Sequence, residues 1–567
     1  MSIIHRASVR RTICLFLLVA LTVAVIGAPA VSAAPAPNAG SEEQRQRARQ
    51  EDRQRRERER QKDVFLQQGQ KAARDTSLPD ETPAFPVDRV VLAGDGAARF
   101  PWAQAILDAY AGRRIGAQGV ALIAKRLTNA FIDRGYITTR VTVPEQDLSE
   151  GVLVFVVVPG RIGAIRFARD SAAGNWQTAF PARPGDTLNL RDLEQGLEQL
   201  KRVPSQDAAI QIVPGGQPGY SDIVLTLRET KRWRLALALD DSGQTATGKL
   251  QSFAALAVDN PFGANDLFTS SASGDGDREG AVLGTRGYSF SYSVPRGNST
   301  LTFASYASRH HQTLATDYGS LLYWGTNETS EVGLTTLLHR DQVSKTSLDA
   351  KVIFGRYRNY LEGVGELDVQ RQTTTAFQLG LSQRRNFGGA TLDVALAGRF
   401  GVPWFGAQDD PAASPTTRYR TMLADVAYNV PVSVGKTQGR YSVAFHGQYT
   451  RDRTYSTEFV SLGNRFTVRG FDGEQTLAAE YGWYLRNELA LPAGDGRTEV
   501  YLGLDCGAVG GPSATGLSGR FLAGAVIGLR GETKSARYDL FAGWPLRKPA
   551  GFTTASTTYG FQLVYSL

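Results

Sequence analysis

Cysteine is almost absent from this chain of 567 residues, which carries only Cys14 and Cys506. Cys14 lies in an N-terminal segment read below as cleaved, so the mature protein is expected to hold one thiol, with no internal disulfide and no cysteine-built metal site. Histidine is scarce as well: His5, His310, His311, His339 and His446 make no metal-ligand spacing such as H-E-x-x-H. No G-x-S-x-G elbow is present, which argues against an esterase. Gly435-Lys436-Thr437 echoes the end of a phosphate loop, but Val430 stands where that loop needs its first glycine. No catalytic set, metal or cofactor is therefore expected, and the chain does not read as an enzyme. Nucleic acid is not expected either, since no basic patch with interleaved aromatics accompanies the net charge of +8. Beyond the N-terminus no apolar run is long enough to cross a bilayer as a helix, so a membrane role would have to be carried by strands.

What is present begins with an export signal. Arg6, Arg10 and Arg11 precede an apolar run from Ile13 to Ile26, and the small residues around Val31-Ser32-Ala33 follow. That order predicts a secretory signal peptide cleaved after Ala33, the alternative being an uncleaved anchor. Residues 41–70 are mostly Glu, Arg and Gln. Such a segment can be helical through i,i+4 ion pairs, yet it has no apolar stripe to bury. A solvated linker and a polar helix in a water-filled lumen fit it equally well.

From Phe85 the pattern becomes a small α/β unit. Val87 to Ala93 reads as a strand, and Val120, Ile123, Leu127 and Phe131 recur at helical spacing before Gly135. Tyr136 to Val143 and Val152 to Val158 read as further strands. A second unit of the same order follows: a strand at Ile165 to Ala168, a helix with Leu190, Leu193, Leu197 and Leu200 after the cap Asn189, and strands at Ala209 to Val213 and Asp222 to Leu227.

After Lys231 the chain turns uniform. Segments of about ten residues alternate apolar with small or polar residues between Gly/Asp/Asn/Ser turns. In the first, Trp233, Leu235, Leu237 and Leu239 share one face; in the last, Tyr559, Phe561, Leu563, Tyr565 and Leu567 do. A soluble sandwich alternates too, but nothing here supplies a second layer to cover the apolar face. A closed barrel in lipid satisfies every strand edge. At roughly 20 residues per strand and loop, this region predicts about 16 strands.

Two such units ahead of a barrel resemble the two-partner secretion transporters, the TpsB family of the filamentous-haemagglutinin and haemolysin-activator type. The likeness rests on Gly135-Tyr136-Ile137-Thr138-Thr139-Arg140, on Leu190-Arg191-Asp192-Leu193, on Asn260-Pro261-Phe262-Gly263 with Asp266, and above all on Val468-Arg469-Gly470-Phe471 with Gly503-Leu504-Asp505-Cys506-Gly507. It departs from the family at Pro159, where an acidic residue is usual, and at Leu567, where such barrels more often end in phenylalanine.

The resemblance implies a transmembrane antiparallel β-barrel preceded by two small α/β POTRA domains and an N-terminal polar helix. The implied layout is a signal peptide at 1–33, polar helix and linker at 34–84, POTRA domains at 85–162 and 163–230, and the barrel at 231–567. It further implies that Val468, Arg469, Gly470 and Phe471 form the tip of a long sixth loop that folds back into the barrel. Gly503, Asp505 and Gly507 would line the inner wall, with Arg469 pairing to Asp505. A partly wetted pair of that kind would fix loop conformation more than add stability. The implied partners are a secreted exoprotein, outer-membrane lipid and the barrel-assembly machinery that inserts such proteins. The same fold would also serve a barrel-assembly factor, and a passive porin-type channel is the rival from another class.

Overall fold

The computed structural model describes residues 64–66, 75–276, 283–316, 319–410, 415–494 and 496–567. The predicted signal peptide and the predicted polar helix over 41–70 lie outside the described residues, apart from Val64, Phe65 and Leu66.

The first α/β unit comprises β1 (Arg89–Ala93), α1 (Pro101–Asp108), α2 (Ala117–Asp133), β2 (Arg140–Thr142) and β3 (Val152–Val158). β3 is the central strand, parallel to β1 and antiparallel to β2. In α2 the helical spacing puts Ile123, Leu127 and Phe131 in the core, all fully buried. The helix stops before Gly135, whose φ of 93° lies in the left-handed region that closes helices at low cost.

Two predicted strands differ from those found. Val87 to Ala93 is not continuous: Asp88 N and Arg89 N both donate to Gly151 O, and Phe85–Val87 pairs instead with Arg113–Ile115 in a separate sheet. Tyr136 to Val143 shrinks to the three residues of β2, because the Tyr136 ring turns inward against Phe100, with centroids 5.1 Å apart. Core packing overrides strand propensity there.

The second unit repeats the order with β4 (Arg161–Phe167), α3 (Trp176–Ala179), α4 (Leu190–Lys201), β5 (Gln206–Pro214) and β6 (Tyr220–Glu229). Asn189 caps α4, its side-chain oxygen accepting from Arg191 N at 2.8 Å. Leu193, Leu197 and Leu200 then pack against Ile162, Phe180, Ile223 and Leu225.

Among the described residues, sixteen long antiparallel strands, from Trp233–Asp240 to Thr558–Ser566, close into a barrel. Closure pairs the last with the first, as Leu563 opposite Leu239, and leaves no free edge. Alternation decides the faces. Leu237, Leu502, Leu504, Leu563 and Tyr565 are exposed on the outer wall, whereas Asp505 is buried on the inner one. No described helix is long and apolar enough to cross a membrane. The α/β units lie at the end where the chain enters the barrel, the near end. Turns there are short, as at Gly297-Asn298, and the longest far-end loop spans residues 451–480.

Candidate functional site

The long far-end loop folds into the barrel. Two short strands, Val460–Leu462 and Leu477–Ala479, pair antiparallel at its base. Val460, Leu462, Val468, Phe471 and Leu477 pack with Tyr484, Leu522 and Phe552 of the barrel and its last loop. Phe471 meets Phe552 edge-on at 5.8 Å. The apolar members of the loop motif thus drive its tip inward by burial, which leaves the arginine between them to face the wall.

Arg469 is the centre of the site. Its Nε donates to Asp505 Oδ2 at 2.7 Å and its Nη2 to Asp505 Oδ1 at 2.9 Å. Its backbone N also donates to Asp505 Oδ2, at 3.0 Å. Nη1 turns to a second carboxylate, Glu488 Oε2, at 2.5 Å. Arg530 Nη1 holds the other Glu488 oxygen at 2.8 Å. The side chains of Arg469 and Asp505 retain 6% and 0% exposure, so the expected partly wetted pair is in fact a dry one. Burial works against the Arg469 charge, but Asp505 and Glu488 outweigh it and keep the guanidinium more firmly protonated than usual. A dry, fully hydrogen-bonded ion pair is costly to break one side at a time, because the remaining charge stays desolvated.

Glycine makes the approach possible. Gly470 has a φ of 100°, and a Cβ there would lie 2.4 Å from Trp544 O. A Cβ on Gly524 would lie 1.9 Å from Arg469 O. On Gly503 it would meet Arg469 Nη2 at 2.5 Å, and on Gly507 Trp483 O at 2.7 Å. Backbone atoms obstruct at Gly524 and cannot rotate away, so that position sets how close the tip comes.

The structure therefore brings together Val468, Arg469, Gly470 and Phe471 with Gly503 and Asp505; Gly507 lies against Leu462 and Tyr484 beside the loop's base. Sequence reasoning missed Glu488, Arg530 and Gly524. Alternation could have placed each on the inner wall, but not opposite this loop. Arg465 extends the clamp by pairing with Asp241, while Gln244 Nε2 donates to Gly473 O at 2.9 Å.

A second set of contacts joins the second unit to the barrel's near end. Helix α4 turns its polar face to the barrel: Gln195 and Gln199 donate to Gly297 O at 3.4 and 3.2 Å. The turn at Asn260–Asp266 belongs to this interface, since Asn265 Nδ2 donates to Asn175 O at 2.6 Å. Arg340 is buried and pairs with Glu194 at 3.3 Å and Glu198 at 2.9 Å, while Lys345 also reaches Glu198 at 2.7 Å. Residues 64–66 join the same node. Leu66 N donates to Glu194 Oε1 at 2.7 Å, Arg340 donates to Val64 O, and the Arg340 guanidinium lies 5.3 Å from the Phe65 ring centroid.

Burial works to raise the Glu198 carboxyl, but Lys345 and Arg340 outweigh it and hold it below the usual carboxylate range. A depressed carboxyl stabilises the docked state above its undocked pKa of about 4.5, and that stability is lost as pH falls through the docked value. Spin labels at exposed Arg228 and Lys436, in a Cys506→Ser background, are expected to report a broadened distance at low pH. Glu198→Gln is expected to flatten that pH response; an unchanged response would assign it to other groups.

A family profile described as haemolysin secretion/activation protein ShlB/FhaC/HecB matches residues 219–531. A ShlB-type POTRA domain profile matches residues 85–160, and a POTRA domain profile residues 161–214. The chain is 41% identical over 508 residues to the outer membrane transporter CdiB-2 of Burkholderia pseudomallei, covering 86% of this chain and 87% of that protein. It is 29% identical to the hemolysin transporter protein ShlB of Serratia marcescens over 76% of this chain and 77% of that one. Among solved structures, CdiB from Escherichia coli aligns with a TM-score of 0.82 at 26% identity, covering 95% of this chain and all of that one.

Proposed function

The chain belongs to the haemolysin secretion/activation (ShlB/FhaC/HecB) family of two-partner secretion transporters, with its barrel in the outer membrane and its POTRA domains in the periplasm, and from that premise we propose how it moves its partner. The partner is one exported protein, received unfolded by the POTRA pair. Each POTRA sheet ends in an edge strand paired on one side only, β2 in the first domain and β5 in the second, whereas the outer edge of β1 is taken by Gln104, which binds Leu92 N and Val90 O. An unfolded chain can add to such an edge by backbone pairing, with little demand on its sequence.

The barrel is the conduit, and the loop carrying Arg469 is the element that must move. The carrying observation is that loop: its tip lies inside the barrel, held by Asp505 and Glu488 through one arginine. No nucleotide is needed if the partner folds outside the cell and cannot slide back. The exposed apolar outer wall, including Leu301, Leu379, Leu502 and Leu563, is the face for outer-membrane lipid, and insertion falls to the barrel-assembly machinery.

The test co-expresses this chain with the large exported protein encoded beside its gene, in a host lacking both, and assays the medium. Release that depends on this chain is the expected result. A partner variant unable to fold at the surface should stall and co-purify with the barrel. Steady small-solute conductance with no release would instead support a passive channel.

A further inference from the structure

We propose that the extracellular part of the barrel's outer wall, centred on Arg286, Arg309 and Arg358, is a binding site for the phosphate groups of the outer-leaflet glycolipid. The first observation is strand length. A transmembrane β-strand needs roughly 9–11 residues. Strands Gly284–Arg296, Ser299–Thr316, Gly319–Arg340 and Ser344–Leu361 run to 13, 18, 22 and 18. The last three therefore rise above the apolar layer on the extracellular side.

The outward face changes chemistry along each of them. On the first strand Val294, Tyr292, Phe290 and Tyr288 point outward, and Arg286 follows. On the second, Leu301, Phe303, Ser305 and Ala307 give way to Arg309. On the fourth, Leu348, Ala350, Val352 and Phe354 give way to Arg356 and Arg358. Phe290 and Phe303 lie 5.4 Å apart, and Tyr288 is 62% exposed, as in an aromatic girdle at the lipid boundary.

The arginines also meet one another. Register sets Arg286 directly opposite Arg309, Arg309 opposite Thr326, and Thr326 opposite Arg358. All three arginines are exposed. Like charges directly opposite on one sheet face are destabilising unless something neutralises them. Of the nearby carboxylates, Glu328 stands opposite Arg356 in register, and Glu366 is held by Arg371 at 2.7 Å with Arg358 at 4.0 Å. Among the described residues, Arg286 and Arg309 have no acidic partner within salt-bridge distance. A phosphate between two guanidinium forks would accept from both, in the geometry that favours arginine over lysine.

The neighbouring surface favours a phosphorylated sugar over a simple phospholipid headgroup. Just above the arginines Trp324 and Tyr360 are stacked, 5.4 Å apart and 6° from parallel, on the same outward face. Their planar apolar surface suits the C–H face of a sugar ring beside its phosphate.

The test uses the full mature chain, purified in detergent and exposed to bisphosphorylated disaccharide lipid A, its monophosphoryl form, or phosphatidylglycerol. Lipid retained is read by native mass spectrometry. Wild type is expected to retain the bisphosphorylated lipid about ten-fold better than Arg286→Gln/Arg309→Gln, the scale of lost charge-assisted bonds. The monophosphoryl form should lose affinity for wild type but not for the double variant. Lys436→Gln, at a periplasmic turn, should bind like wild type. Each single variant is measured as well, so that a misfolded double variant leaves the comparison standing. Equal retention by wild type and the arginine variants overturns the site. Equal retention of phosphatidylglycerol and lipid A by wild type overturns the glycolipid as its ligand.

Discussion

Arg469→Ala is expected to reduce release of the secreted partner by more than about ten-fold, at unchanged levels of folded barrel. The reason is the dryness of the pair. Asp505 keeps no side-chain exposure, and the Arg469 side chain supplies two of its hydrogen bonds and reaches Glu488 as well. Removing one partner of a buried pair costs about 3–5 kcal/mol, since the carboxylate left behind remains desolvated. That exceeds a hundred-fold shift in any equilibrium between seated and displaced loop. The barrel's own strand ladder does not pass through Arg469, so heat-modifiable mobility should stay normal. Arg469→Lys is expected to restore only part of the release, because an ammonium cannot grip both Asp505 oxygens and Glu488 together. Full secretion by Arg469→Ala would remove the pair from the mechanism.

A comparable effect is expected from Gly524→Val, a change that touches no charge. Its Cβ would fall 1.9 Å from Arg469 O, a backbone atom that cannot swing aside. The tip must then withdraw, which breaks the Arg469–Asp505 contact and exposes Val468 and Phe471. Uptake of a bulky antibiotic across the outer membrane should rise, and protease should cut within 464–475. Gly380→Val, another inward glycine, is the matched control. Its Cβ would lie 2.8 Å from Ala397 Cβ and from Leu396 O on the neighbouring strand, and none of its nearest atoms belongs to the loop. If both variants leaked alike, general barrel damage would explain the result better than loss of the seated tip.

These two residues differ in how they could be found. Arg469 and Asp505 were legible through a short motif, and alternation put Asp505 on the inner wall. Gly524 carries no motif, and inward glycines are common in any barrel. The α4 helix shows the same split. Its cap and leucine spacing predict the helix from local chemistry alone, and Leu193, Leu197 and Leu200 do enter the core. Glu194 and Glu198, on the other side, carry no local signal of burial, yet they are buried against Arg340. Nothing in the spacing of residues 64–66 foretold that they would join that node.

The sequence by itself determined what has a short period: the alternation that divides lipid face from lumen, the number of strands, and the tandem of two small α/β units. Each follows from the local geometry of strand and helix, in which a residue's face is fixed by its neighbours a few positions away. Only the tertiary structure decided which inward residues meet. Barrel closure sets Arg465 beside Asp241, 224 positions away, and Arg469 beside Asp505, 36 away. Such contacts depend on register summed around the whole ring, and no local pattern encodes that sum.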